Sequence, residues 1–377
     1  MKTFYFAKRK LQLAPAATIL VALAICIPLS AQTITTFDAP GAGTGAFQGT
    51  YAFNIAPSGA IIGYTRDAGN VRHGFIRSQQ GGFTIFDAPG AGTAAGQGTR
   101  AYSINPAGEI TGFFFDSVTV AHGYVRSNQG VITAFDAPGA GTGPGQGTFP
   151  LSPLIINPSG AIAGYYTDSS DVAHGFLRET NGAIIAFDVP GAGTGPGEGT
   201  FSYAISETGA ITGYYFDSAD VSHGFLRDTT GVITTFDVPG SGTAPLQGTY
   251  GGGFTPSGTI MGNYFDADNL SHGFLMDTNG AFTTFDAPDA GHVPGVDDGT
   301  YPFGINANGA ITGWYVDDAD ANHGFVRDKH GAIVEFDVPG AGAGVFVWSI
   351  APSGAVTGYF WDANFVIHGF VREAAGK

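Results

Sequence analysis

Apolar residues along this chain fall in short runs of four to six, punctuated by turn residues, and the whole pattern returns about every 49 residues. From Thr50 the chain reads as a strand to Ile55, a turn at Ala56-Pro57-Ser58-Gly59, and a second strand through Ala60 to Tyr64. A polar turn at 67–70, a third strand at 73–77, a turn at 79–81 and a fourth strand at 83–86 complete the unit. No segment after residue 31 has a helical period. Four short strands joined by tight turns make a meander sheet.

Apolar residues also stand side by side, as in Phe75-Ile76 and Tyr214-Tyr215-Phe216, so both faces of each small sheet must be covered. Sheets set face to face in a ring meet that demand. The expected fold is all-β: a seven-bladed β-propeller of four-stranded antiparallel blades. The count follows from Gly-x-x-x-Asp-x5-His, which begins at Gly63, Gly112, Gly164, Gly213, Gly262, Gly313 and Gly358. The ends fit the same scheme. Residues 33–38 form a fourth strand lacking its first three, and the chain stops after His368-Gly369-Phe370-Val371-Arg372, a blade lacking its fourth, so the N-terminal strand is expected to complete the last blade.

Residues 1–31 carry four cations and no acid, then an apolar run and Leu29-Ser30-Ala31, as in a secretory signal peptide cleaved after Ala31; residues 32–377 then form one domain. No stop-transfer segment follows, which argues against a membrane span. The single cysteine, Cys26, lies within the leader behind Ile25, a side chain too large for a lipoprotein signal. Without the leader's four cations, 11 of the 15 basic side chains face 31 acids, and the formal charge moves from −16 to −20. Such a balance excludes nucleic acid and anionic membranes as partners and permits cationic ones. A secreted bacterial monomer, extracellular or periplasmic, is expected, its stability coming from a large core without disulfides.

Seven of the nine histidines belong to the repeat. Hairpin register pairs His73 with Asp87, His122 with Asp136, His174 with Asp188, His223 with Asp237, His272 with Asp286 and His323 with Asp337; closure adds His368 with Asp38. These are expected to be structural pairs satisfying buried polar groups, since no nucleophile or metal signature recurs beside them. Asp67, Asp168 and Asp217 are read as turn caps. Calcium is the cofactor alternative, because Asp266, Asp268 and Asn269, or Asp317, Asp318 and Asp320, cluster oxygen ligands without completing a calcium-loop signature. The Gly-rich linkers lack the lysine and helix of a phosphate cradle. Arg77, Arg126, Arg178, Arg227, Arg327 and Arg372, with Met276 in the remaining repeat, point to bridging or stacking between blades.

The unit Gly-x-[IV]-x-Gly…His-Gly-Phe-[ILV]-Arg…Phe-Asp resembles the HAF-type extracellular repeat over nearly all of residues 33–372. That family's core reads His-Ala-Phe, so this chain is a divergent His-Gly-Phe variant. The resemblance implies a propeller-like fold in a secreted bacterial protein and carries no established activity.

Near-identical blades leave function to the places where symmetry fails. The linker after Asp286 holds His292, Asp297 and Asp298, and all three tryptophans, Trp314, Trp348 and Trp361, fall in the last two repeats. Linkers and second turns are expected on one face, giving an acidic surface with an aromatic sector that suits sugars and cationic groups. The leading expectation is a non-catalytic binding or scaffold protein for a polysaccharide or surface protein. A glycan lyase or hydrolase, with His292, Asp297 and Asp298 as its titratable cluster, and a calcium-dependent adhesin are the alternatives.

Overall fold

The computed structural model describes residues 32–294, 298–342 and 344–374; the leader expected at residues 1–31 lies outside them. Among the described residues there are 28 strands and no helix, and therefore no helix long and apolar enough to cross a membrane. The first repeat shows how the sequence makes them. Gly49–Ile55, Ile61–Arg66, Arg72–Arg77 and Phe83–Phe86, rich in β-branched and aromatic residues, pair antiparallel in chain order. A bulge between Ala52 and Asn54 leaves Phe53 unpaired in the first strand, and equivalent register shifts leave Tyr102, Tyr203, Gly252, Phe303 and Trp348.

The last repeat supplies Gly344–Ile350, Val356–Trp361 and Ile367–Arg372. Its outer edge pairs antiparallel with Ile34–Phe37 from the other end of the chain, Ile34 opposite Arg372 and Phe37 opposite Gly369.

Repeats join by two devices. At five of the six junctions between consecutive repeats a single parallel bridge links a third strand to the next first strand, as in Arg72 to Gly98 and Ala173 to Gly199, and the same bridge links Ile367 to Gly49. Gly49 has φ 125°, and a Cβ there would lie 2.0 Å from the Ile367 carbonyl oxygen, so only glycine permits this approach. In the second device an arginine of each third strand lies over a phenylalanine of the preceding repeat's fourth strand. Arg126 covers Phe86 at 5.0 Å, Arg178 covers Phe135 at 5.0 Å, and Arg77 covers Phe37 at 4.7 Å. In the repeat that lacks the arginine, Met276 lies in the core cluster beside Phe236.

The core is built by the residue after each His-Gly. Phe75, Tyr124, Phe176, Phe225, Phe274, Phe325 and Phe370 are all fully buried, each contributing about 1.5–3 kcal/mol. The glycine before them is steric: a Cβ at Gly74 would lie 2.6 Å from the ring of Phe86.

One repeat departs from the pattern. From the Gly-Thr that opens its first strand to the glycine of Gly-x-x-x-Asp there are 17 positions in the third repeat (Gly147 to Gly164) and 14 in the first (Gly49 to Gly63). The extra residues break that strand after Gly147–Phe149 and carry Pro153 and Leu154 away from the sheet. The Pro153 carbonyl accepts from Asn54 Nδ2 at 2.6 Å and Ser103 Oγ at 2.8 Å, and Leu154 bridges to Ala204 and packs on Met261 and Ile305. Only a central segment can reach the first, second, fourth, fifth and sixth repeats at once. A cavity of 780 Å³ remains beside it, lined by the first turns, including Asn105, Asn157 and Asn306.

Candidate functional site

Strand direction puts the linkers, the second turns and the start of every third strand on one face. There each repeat histidine sits between two carboxylates. His73 Nδ1 lies 2.9 Å from Asp87 and its Nε2 3.6 Å from Asp67; His323 holds Asp337 at 2.6 Å and Asp317 at 3.4 Å; His368 holds Asp38 at 2.9 Å and Asp362 at 3.9 Å. In six repeats the imidazole also stacks on an aromatic ring of the second strand, such as Tyr215 under His223 at 5.0 Å. The second aspartate of the clamp is expected from sequence as a turn cap, as at Asp67, Asp168 and Asp217, with calcium the alternative at Asp266 and Asp317. It caps the turn and also clamps the histidine: Asp217 Oδ1 accepts the Ala219 and Val221 amides while its Oδ2 faces His223.

The electrostatics follow from these bonds. His272 is raised above the ordinary histidine range, chiefly by its hydrogen bond to Asp286, against the opposing effect of burial. For Asp217 burial alone would raise the carboxyl, but the Val221 and Ala219 amides and His223 together hold it low. Both ring nitrogens of each repeat histidine are thus turned toward carboxylates, Nδ1 at hydrogen-bond distance and Nε2 farther off. One expectation needs correction, because the pairs are not buried: the Asp237 side chain is 52% exposed beside His223 at 23%. The hairpin leaves the Phe-Asp carboxylate at the rim, where water shares it.

Several of the oxygens considered for calcium are engaged in the same way. Asp266 Oδ1 accepts from Asp268 and Leu270, its Oδ2 faces His272, and Asn269 Oδ1 accepts from Gln247 Nε2 at 3.1 Å. No group of three or more ligating side chains converges among the described residues.

The asymmetric candidates separate. Asp297 lies outside the described residues. Asp298 is 3% exposed and accepts from the Val293 amide, taking the place of Gln48 or Gln146, which accept from linker amides in their repeats. It braces its loop. His292 is exposed and lines an acidic pocket in the sixth repeat. Trp314 is buried against Phe303 at 4.1 Å and Trp348 at 5.1 Å, near the first strands; Phe346, 5.4 Å from Trp314 and 5.0 Å from Trp361, carries the aromatic run outward.

That run ends in two residues that sequence reasoning missed. Phe47 and Phe365 lie 5.7 Å apart on the linker face, 46% and 42% exposed, with Trp361 5.9 Å from Phe47. Both adopt left-handed backbone, φ 59° and 60°, which a bulky side chain rarely accepts. The equivalent positions elsewhere hold Gly96, Gly145, Gly197 and the left-handed Leu246, or Asn70, Thr119, Asp171, Asp220, Asn269 and Asp320. Aligning the repeats residue by residue would have exposed both.

Sequence comparison finds no matching family model and no matching curated protein. Structure comparison does find relatives. The chain is similar to virginiamycin B lyase from Staphylococcus aureus, with a TM-score of 0.56 and 14% identity over 91% of this chain and 100% of that one. It is similar to a streptogramin B lyase, with a TM-score of 0.55 and 13% identity over 91% and 98%. The fold is a β-propeller. A puromycin hydrolase mutant matches 86% of this chain with 50% of its own length, at a TM-score of 0.51 and 14% identity. At such identities the likeness carries the propeller architecture alone.

Proposed function

We propose that this chain is a secreted, non-catalytic propeller that binds a polysaccharide or surface protein through its linker face. In this reading seven blades of the HAF type form a closed wheel. The Gly49–Ile367 bridge and the Arg77–Phe37 stack support closure, because each repeats between the chain's ends a contact made between consecutive repeats.

The observation that carries the reading is the aromatic platform of exposed Phe47 and Phe365 backed by half-buried Trp361. Left-handed phenylalanines cost on the order of 1–3 kcal/mol each, and strain of this kind clusters at binding sites. Flat rings open to water suit the apolar faces of sugars and the side chains of a partner. The histidines favour a binding role over catalysis, since each is engaged by two carboxylates.

A glycan array and a pull-down from cell-surface extract, run with the full mature chain and with Phe47→Gly/Phe365→Asn, test this. Ligands retained by the native chain and lost by the double variant are expected. Retention unchanged by the substitutions, or substrate turnover by the native chain, would remove the proposal.

A further inference from the structure

Where other repeats carry small residues, the sixth carries acids. Asp289 stands where the linkers elsewhere place glycine, as at Gly139 and Gly191; Asp318 replaces Ala or Ser of the second turn; Glu335 replaces Ala, Thr or Ile of the fourth strand. These three changes come from three separate segments, yet they meet around one pocket of 770 Å³, which Asp317, Asp337 and His323 also line and which no lysine or arginine lines.

The pocket has a built wall. Tyr315 is 4% exposed, its ring stacked on His323 at 5.0 Å, and its hydroxyl donates to no group among the described residues. In the third and fourth repeats a Cβ on Gly139 or Gly191 would lie 3.3 or 3.7 Å from the equivalent tyrosine hydroxyl, so the position taken by Asp289 is the one directly over Tyr315. Burial, and then Glu335, Asp289, Asp337 and Asp317, raise the Tyr315 hydroxyl, which keeps it a neutral donor and acceptor. Two carboxylates are steadied by backbone: Glu335 Oε1 accepts the Asp289 amide at 3.0 Å, and Asp318 Oδ1 accepts the His292 amide at 2.7 Å.

Five carboxylates around one tyrosine hydroxyl, with His323 and His292 the only basic side chains among the described lining residues, form a site of strongly negative potential. Among the described residues no three of these side chains converge as a metal site would require. Their spread matches a larger cation with several N–H donors. We propose that this pocket binds a protonated organic nitrogen, ammonium or guanidinium, presented by a basic peptide or an amino sugar. The site is separate from the aromatic platform and stands whether or not the platform binds.

Calorimetric titration of the full mature chain tests the assignment. The probes are a tetra-arginine peptide and a glucosamine tetramer, with tetra-citrulline and the N-acetylated tetramer as uncharged controls and calcium chloride as a metal control. The variant Asp289→Gly/Asp318→Ser/Glu335→Thr restores residues that other repeats fold with, and Tyr315→Phe copies Phe114 and Phe360. At least one charged probe binds the native chain, at least tenfold more weakly to the triple variant and threefold or more weakly to Tyr315→Phe, with controls silent and melting temperatures unchanged. Which probe wins separates peptide from amino sugar. Equal affinity for native and triple-variant chains, no binding of either charged probe, or a calcium signal that alone disappears in the triple variant would each overturn the proposal.

Discussion

Phe37→Ala measures how firmly the two ends of the chain hold each other. Phe37 packs on Phe75 and Phe83 at 6.4 and 6.0 Å, carries Arg77 at 4.7 Å, and sits 330 residues from the strand it pairs with. A mostly buried phenylalanine withdraws on the order of 120 Å² from water, about 3 kcal/mol at 25 cal/mol per Å². The lost cation–π contact adds about 0.5–1 kcal/mol, for a total near 3–4 kcal/mol. Phe135→Ala supplies the internal standard, since Phe135 makes the same contacts with Phe176 at 6.1 Å and Arg178 at 5.0 Å between two consecutive repeats. Urea denaturation of both variants should give matching losses. A Phe37→Ala cost below about 0.5 kcal/mol, beside a full loss in Phe135→Ala, would mean that the first strand hangs free and the wheel is open.

Other substitutions probe single contacts. His272 is raised in the folded chain, so its clamp stabilises fully below the ordinary histidine value and less as pH climbs through the raised one; the stability gap between native and His272→Gln chains should shrink from pH 5 to pH 8, and a gap that widens contradicts the clamp. Gly253→Val places a side chain against Leu154, Met261 and Ile305 and should cost about 1–3 kcal/mol, whereas a neutral result would show the central segment to be loose. Phe365→Asn should raise stability by about 1 kcal/mol by relieving left-handed strain while weakening ligand retention on the array; a loss of stability would show that the ring earns its place by packing.

How much was legible depends on whether the information was periodic. The strands, their pairing order and the His–Asp register could be read because turn residues recur at fixed spacing and hairpin arithmetic is local. The second carboxylate on each histidine was hidden because Asp67 and His73 meet across a turn whose direction depends on the left-handed Asn70. Burial was misjudged at Asp237, since spacing fixes register but says nothing of which end of a hairpin meets water. Asp298 reads in sequence as part of a titratable cluster, whereas its buried side chain accepts the Val293 amide and braces the loop. The departures from symmetry at Phe47, Asp289, Glu335 and Leu154 were visible letter by letter, but their meaning lies in which of them converge, and that is a three-dimensional fact.

The Pro153–Leu154 segment also limits how this architecture can evolve. Repeat proteins ordinarily gain and lose modules by unequal recombination, since any copy can replace any other. Here one module carries an insertion that packs against five others, with Gly253 leaving room for Leu154. In the closed wheel proposed above, adding a module would leave the insertion short of its far wall and deleting one would jam it, so it would work as a gauge that rejects every copy number but its own.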